Sequence, residues 1–177
     1  MDRPDPDHNP NKRIAMVSCE RILCRDKSGT EFRIEACGTS RIPDLLDMYA
    51  DFSPRPASQG LPPEDPETCS AWVKGLVGMG ENLLAWREEK VIGHAALVPD
   101  PKGDSAEFVI FVHQACRGLG IGTELTRAIL ERARHRGLKS VWLTVSMSNF
   151  IAIKLYRKLG FEYCEIDECE RKMVIRV

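Results

Sequence analysis

The chain has 177 residues, 43% of them hydrophobic, with 25 basic against 26 acidic side chains and a formal net charge of -1. That length supports one well-buried core and argues against two independent domains. Charges of both signs are mixed along the chain, which excludes a general nucleic-acid or anionic-membrane binder, because such proteins draw their affinity from a basic excess.

Residues 1–13 open on MDRPDPDHNPNK, rich in Pro, Asp and Asn and without an apolar stretch. This is the composition of a mobile tail, neither a secretory signal nor a membrane span, so 14–177 is expected to form the single domain. The seven cysteines are odd in number and contain no CxxC pair, a pattern of reduced thiols in a cytoplasmic protein and not of a metal site.

Glu31 to Cys37 alternates as a half-buried strand, and Ser40 offers a helix cap ahead of Ile42, Leu45, Leu46 and Tyr49 at helical spacing. The stretch from Ser53 to Pro66 carries five prolines and reads as a surface loop before a second helix over Glu67 to Leu76. Leu83 to Arg87 and Val91 to Val98 flank a short turn as a hairpin, and Ala106 to His113 adds a third, antiparallel strand. A helix follows with the apolar stripe Ile121, Leu125, Ala128 and Ile129, ending at Gly137. Ser140 to Ser146 is a strand, Asn149 to Leu159 a second amphipathic helix closed by Gly160, and Arg171 to Val177 a final strand. The strand, helix, strand order of this half implies a crossover joining parallel strands in a mixed α/β fold.

The junction at residues 117–122, RGLGIG, places three glycines at alternate positions between a strand and a helix. A helix amino terminus leaves N–H groups unpaired and carries partial positive charge, so it binds phosphate when side chains do not obstruct it. Gly118, Gly120 and Gly122 remove those side chains and Arg117 adds a cation; a tight turn with close helix packing is the plainer explanation of one or two of the glycines. The spacing is not that of a dinucleotide fingerprint, since Thr123 stands where the third small residue belongs, and no P-loop motif is present.

Arg117-Gly118-Leu119-Gly120-Ile121-Gly122 matches the Q/R-x-x-G-x-G/A signature of the GNAT superfamily of acyl-CoA-dependent N-acyltransferases. Asn149-Phe150-Ile151-Ala152-Ile153-Lys154-Leu155-Tyr156 with Leu159-Gly160-Phe161 resembles its N-x-x-A-x-x-L-Y...LGF segment, and Ala106-Glu107-Phe108 with Val112-His113 resembles its fourth strand. The resemblance implies a GNAT-type α/β fold: a mixed, mostly antiparallel sheet whose parallel fourth and fifth strands splay apart, flanked by about four helices. Gln114 and Cys116 depart from the proline and aromatic that many members carry there.

The resemblance also implies roles. The cofactor is acetyl-CoA, with no metal. Its pantetheine arm would pair with the strand at Phe111, Val112, His113 and Gln114, and its pyrophosphate would meet the N–H groups of Arg117 to Thr123, a run that includes Leu119 and Ile121. Asn149 would bond the pantetheine amides, and the Tyr156 hydroxyl would act as general acid toward the leaving thiolate. Asn149 is equally a good helix cap, and Tyr156 equally a core aromatic. A substrate amine is protonated at neutral pH, so a base is needed; Glu107 is the first candidate, ahead of His113 and Glu165, and a solvated carboxylate is its plain alternative. A backbone N–H near Val112 would hold the oxyanion. A rival acyl-cysteine route through Cys116 lacks an evident His partner.

The acceptor is a primary amine in either of two readings. A softer resemblance of Val91 to Val98 and of Leu45 to Pro54 to prokaryotic protein lysine acetyltransferases implies a protein lysine; the other reading is a small amine or amino acid. A non-catalytic acyl-CoA sensor is the alternative of a different class. No nucleic acid or membrane partner is expected, and family habit leaves a homodimer open.

Overall fold

The computed structural model describes residues 21–53, 62–101, 103–166 and 170–177, so the expected tail and most of the proline-rich loop lie outside the described residues. The described strands are β1 (Ile22–Arg25), β2 (Glu31–Ala36), β3 (Glu81–Arg87), β4 (Lys90–Pro99), β5 (Ser105–Val112), β6 (Ser140–Ser146), β7 (Glu162–Ile166) and β8 (Glu170–Arg176). They form one sheet in the order β1-β2-β3-β4-β5-β6-β8-β7. Neighbours are antiparallel except β5 and β6, which run parallel. The parallel pair falls on the two strands expected to carry it, here renumbered because β1 precedes them.

Among the described residues four α-helices cover the sheet: α1 (Ile42–Ala50), α2 (Pro66–Met79), α3 (Ile121–His135) and α4 (Phe150–Lys158). β3 and β4 are buried along almost their whole length, as their unbroken apolar runs require when both faces are covered. On one face Ile121, Leu125 and Ile129 of α3 and Tyr156 of α4 pack with Phe108, Val141, Leu143 and Met173 of the sheet. On the other, Leu45 and Tyr49 of α1 and Val73 of α2 pack with Leu84, Trp86 and Phe111. Both α3 and α4 end in Schellman motifs. Gly137 N and Leu138 N donate to Arg134 O and Ala133 O, and Gly160 N and Phe161 N donate to Arg157 O and Tyr156 O.

Three local expectations are corrected. Ser40 does not cap α1; it lies in a 3-10 turn, Thr39–Arg41, and Pro43 in the first turn sets the helix entry. α2 is capped by Asp65, whose carboxylate accepts from Thr68 N at 2.8 Å, so the helix starts at Pro66 and runs to Met79. β5 ends at Val112 instead of His113, because His113, Gln114 and the residues behind them fold into a second 3-10 turn, Gln114–Cys116.

A buried polar chain joins the α1/α2 layer to the sheet. Tyr49 Oη lies 2.7 Å from His94 Nδ1, and His94 Nε2 lies 2.8 Å from Asn82 Oδ1. Asn82 Nδ2 donates to Leu76 O and Gly80 O at 2.9 and 3.0 Å, which leaves Oδ1 as the acceptor for His94. His94 therefore carries its proton on Nε2 and accepts the Tyr49 hydroxyl at Nδ1. Burial lowers its pKa to about 3, so it is neutral at any physiological pH.

Candidate active site

β5 and β6 are in register only at Ser105, Ala106 and Glu107 against Ser140, Val141 and Trp142. Beyond Glu107 the two strands part, although β5 stays paired to β4 as far as Val112 and β6 to β8 along its whole length. His113 N donates to Ile92 O on β4 at 3.0 Å, so by strand alternation the backbone groups of Phe111 and Val109 also face β4. Those of Ile110 and Val112 face the opening.

The glycine loop stands beside this opening. Gly118 and Gly120 adopt φ of +77° and +93°, the left-handed region that a side chain disfavours by about 1–2 kcal/mol. Gly122 is an ordinary helical residue; a Cβ there would make only ordinary van der Waals contact, with Leu155 of α4 at 3.5 Å and Val112 at 3.6 Å. Two of the three glycines thus serve backbone shape, and the third meets no steric demand among the described residues.

The structure narrows the expected run of phosphate donors. Arg117 N is turned toward Gln114 O at 3.4 Å, and Thr123 N donates to Gly120 O at 2.9 Å. Among the described residues, the N–H groups of Gly118, Leu119, Gly120, Ile121 and Gly122 have no acceptor. Five successive donors at the positive end of the 15-residue helix α3 make a cradle of the kind that can receive an anion. The Leu119 and Ile121 side chains are anchors instead: Leu119 packs against the larger core and Ile121 is wholly buried in it.

A brace missed by sequence reading holds the cradle from behind. Lys27 N, in the β1–β2 turn, donates to Leu119 O at 3.0 Å. The turn is organised by Asp26, whose buried carboxylate accepts from Ser28 N and Thr30 N at 2.8 and 3.1 Å and pairs with Arg87 of β3. The Ser28 hydroxyl, with these further contacts, holds the Asp26 carboxyl below its ordinary value. No motif spans residues 26, 87 and 119, so only the folded chain reveals the contact.

The end of α1 is tied to the same segment. Gln114 accepts from Ser53 N at 2.9 Å and donates to Asp51 O; His113 Nε2 lies 3.2 Å from Asp51, and its Nδ1 accepts weakly from Ala115 N. The Gln114 side chain is therefore spent on α1, and the residue lies in a turn, not in the extended strand expected of a pantetheine partner. Phe111 likewise buries its ring among Tyr49, Phe52 and Trp72, with its backbone toward β4. Arg117 lies over the Phe52 ring at 5.1 Å and donates from Nε to Val112 O at 3.0 Å, capping a carbonyl that faces the opening.

The two expected proton-transfer residues lie on opposite faces of β5. Tyr156 sits with Phe108 and Phe161, ring centroids 6.2 and 5.7 Å away, on the α3/α4 face. It is 7% exposed, and burial pushes its phenol well above the ordinary range. Glu107 alternates with Ala106 and Phe108 of that core and so shares the α1/α2 face with Val109 and Phe111. Burial, then the charge of Asp100, raises its carboxyl from the ordinary value. Asn149 caps α4, its Oδ1 accepting from Ala152 N at 3.1 Å, which leaves its amide donors available. Cys116, 6% exposed, faces inward with Sγ 3.8 Å from Arg87, away from the cradle surface. Glu165 pairs with Lys172 at 3.6 Å on β7 and β8, outside the β5–β6 opening.

The chain is similar to known proteins in sequence and in fold. Over 90 residues the chain is 40% identical to the mycothiol acetyltransferase of Streptosporangium roseum, covering 51% of this chain but 26% of that protein. It therefore spans only about a quarter of that relative. It is 28% identical over 141 residues to the L-methionine sulfoximine/L-methionine sulfone acetyltransferase of Pseudomonas aeruginosa, covering 73% of this chain and 79% of that one. In fold it superposes on the GNAT domain of S. lividans PAT with a TM-score of 0.78 at 17% identity, covering 89% of this chain and 97% of that one. The acetyltransferase (GNAT) family model matches residues 42–161, which takes in α1, the opened strand pair, the glycine cradle and α4; the chain belongs to the GNAT family.

Proposed function

We propose that this chain is an acetyl-CoA-dependent N-acetyltransferase that passes an acetyl group directly to a primary amine within a ternary complex. The observation that carries this reading is the adjacency of the β5–β6 opening to five unpartnered N–H donors at the start of α3. An extended arm ending in a pyrophosphate fits that combination: the arm adds to the free side of β5 at Ile110 and Val112, and the anion rests on the helix terminus. Acetyl-CoA has that shape and supplies the activated acyl carbon.

In this scheme Glu107 takes the proton of the incoming ammonium, directly or through water, from the α1/α2 face. The amine nitrogen then bonds the acyl carbon; as the carbon–sulfur bond breaks, the nitrogen's second proton passes, directly or through water, to the departing thiolate, which the Tyr156 hydroxyl on the far side of β5 hydrogen-bonds. The Val112 N–H, which alternation turns into the opening, is the donor available to a developing oxyanion. Arg117 would leave the Val112 carbonyl for the pyrophosphate.

A phenol raised above its ordinary value is a weaker acid than a thiol, so Tyr156 acts chiefly by donating a hydrogen bond to developing charge, worth about 1.5–3 kcal/mol. Tyr156→Phe is therefore expected to lower kcat by about tenfold to a hundredfold. Its thermal midpoint should stay near wild type, since the hydroxyl bonds no other described residue. Steady-state kinetics and a melting curve check both. Gly120→Ala should act on binding: its left-handed strain lowers the thermal midpoint by about 4 °C and raises the Kd for acetyl-CoA about tenfold, measured by calorimetry.

For the acceptor, the relative covered over most of its length is named for small amino-acid analogues, which supports a small amine over a protein lysine. A screen of small amines, amino acids and protein extracts, reading free CoA release from acetyl-CoA, separates the two; release with none of them would sink the transferase reading and leave a sensor.

A further inference from the structure

Glu107 is not the only acidic group at the closed end of the opening. Its register partner on β6 is Trp142, which alternates with the buried Val141 and Leu143 and so stands on the same face as Glu107. Its register partner on β4 is Val98, two residues before Asp100. Asp100 is fixed from three directions: its N–H donates to Ser105 O at 2.9 Å, and its Oδ2 accepts from the Ser105 hydroxyl and from Trp142 Nε1, the latter at 3.0 Å. Trp142 is itself held in place by Lys172 Nζ, 4.9 Å from its ring.

We propose that Asp100 is a positioning residue for the transfer reaction: a negative charge locked by Ser105 and Trp142 at the closed end of the opening, which keeps the Glu107 carboxylate competent to accept the proton of the amine. The inference rests on the proposed transferase reading. Asp100 itself stays ionised, because the Ser105 and Trp142 hydrogen bonds, followed by Lys172, favour its charged form. Other charged or titratable groups nearby are committed elsewhere. Lys139 pairs with Asp104 at 3.1 Å and His94 on β4 is neutral between Tyr49 and Asn82, while Lys172, 3.6 Å from Glu165, stands over Trp142 and supports the Asp100 charge. Asp100 is the charge whose field reaches Glu107, with the sign that opposes ionisation and so strengthens the base.

The test is a carboxyl carbon-13 NMR titration of Glu107 in the intact protein, run with the pH dependence of kcat/KM at saturating acetyl-CoA. Asp100→Asn, which keeps an acceptor for Ser105 and Trp142 but removes the charge, should lower the Glu107 midpoint and move the acid limb of kcat/KM in the same direction. Asp100→Glu, which restores the charge, should return both toward wild type. A Glu107 midpoint unmoved by Asp100→Asn overturns the proposal, even if Glu107→Gln abolishes turnover and so upholds the transferase reading. Conversely, a Glu107→Gln enzyme with undiminished turnover removes the base from the reaction and Asp100 with it, whatever the titration shows.

Discussion

Glu107→Gln is expected to lower kcat by about a hundredfold to ten-thousandfold, while the KM for acetyl-CoA and the thermal midpoint stay close to wild type. The substrate amine, with a pKa near that of lysine, is almost wholly protonated at neutral pH, so removing its proton is a condition of attack. Glutamine preserves the size and polarity of the side chain but cannot take that proton. Affinity for the cofactor should be spared, because the cradle at Gly118 to Gly122 and the α4 side of the opening lie across β5 from Glu107. Stability should be spared because Glu107 is half-buried and forms no ion pair among the described residues. A matching fall in kcat and kcat/KM, with unaltered binding, is the signature to look for in initial-rate measurements. Equal turnover would remove Glu107 from the role. The effect should exceed that of Tyr156→Phe, since the tyrosine moderates charge on a good leaving group whereas the carboxylate creates the nucleophile.

The second large effect concerns stability and pH. His94 has a pKa of about 3 in the folded protein against about 6.5 when exposed, so the unfolded chain binds the extra proton across that interval. The sign follows: the stabilisation is complete above about pH 6.5 and is lost as the pH falls toward 3, at about 1.4 kcal/mol per pH unit. By pH 4.5 about 3 kcal/mol should be gone, more than the ordinary effect of a point substitution. Protonation would force Nδ1 to become a donor opposite the Tyr49 hydroxyl that it accepts from in the neutral state, while the Nε2–H bond to Asn82 Oδ1 is unchanged. His94→Gln can accept from Tyr49 and donate to Asn82 without taking up a proton. Its unfolding free energy should fall less steeply than wild type between pH 6.5 and 4.5, as read by urea denaturation at several pH values. Parallel pH profiles for the two proteins would contradict the buried neutral imidazole.

The interior of the sheet was legible in the sequence because its physical signal is strong. β3, β4 and β5 are buried on one or both faces, and their apolar runs stand clear of turn residues. The sheet edges were not. β1 is four residues long, with Leu23 77% exposed, and β7 presents exposed Glu162, Tyr163 and Cys164, so neither carries the burial pattern that marks a strand. The cradle was legible because glycine has few other reasons to recur before a helix, and the structure assigns a backbone need to Gly118 and Gly120 but none to Gly122. Asp100, Trp142 and the brace from Asp26 to Arg87 were silent, since hydrogen bonds between residues 42 or 61 positions apart leave no periodic trace. Gln114 was expected in the strand, but its backbone enters a 3-10 turn, and its side chain bonds Asp51 and Ser53 beyond a helix distant in sequence.

The central claim is that the opening beside β5 and the amides at the start of α3 together receive acetyl-CoA. Its most direct test is an amide NMR titration of the intact protein with acetyl-CoA, with ATP and NAD as controls. The expected result is saturable shifts concentrated at Ile110, Val112 and Gly118 through Gly122, at concentrations where the controls leave those amides unmoved. Amides that do not respond to acetyl-CoA, or that respond equally to ATP or NAD, would contradict it.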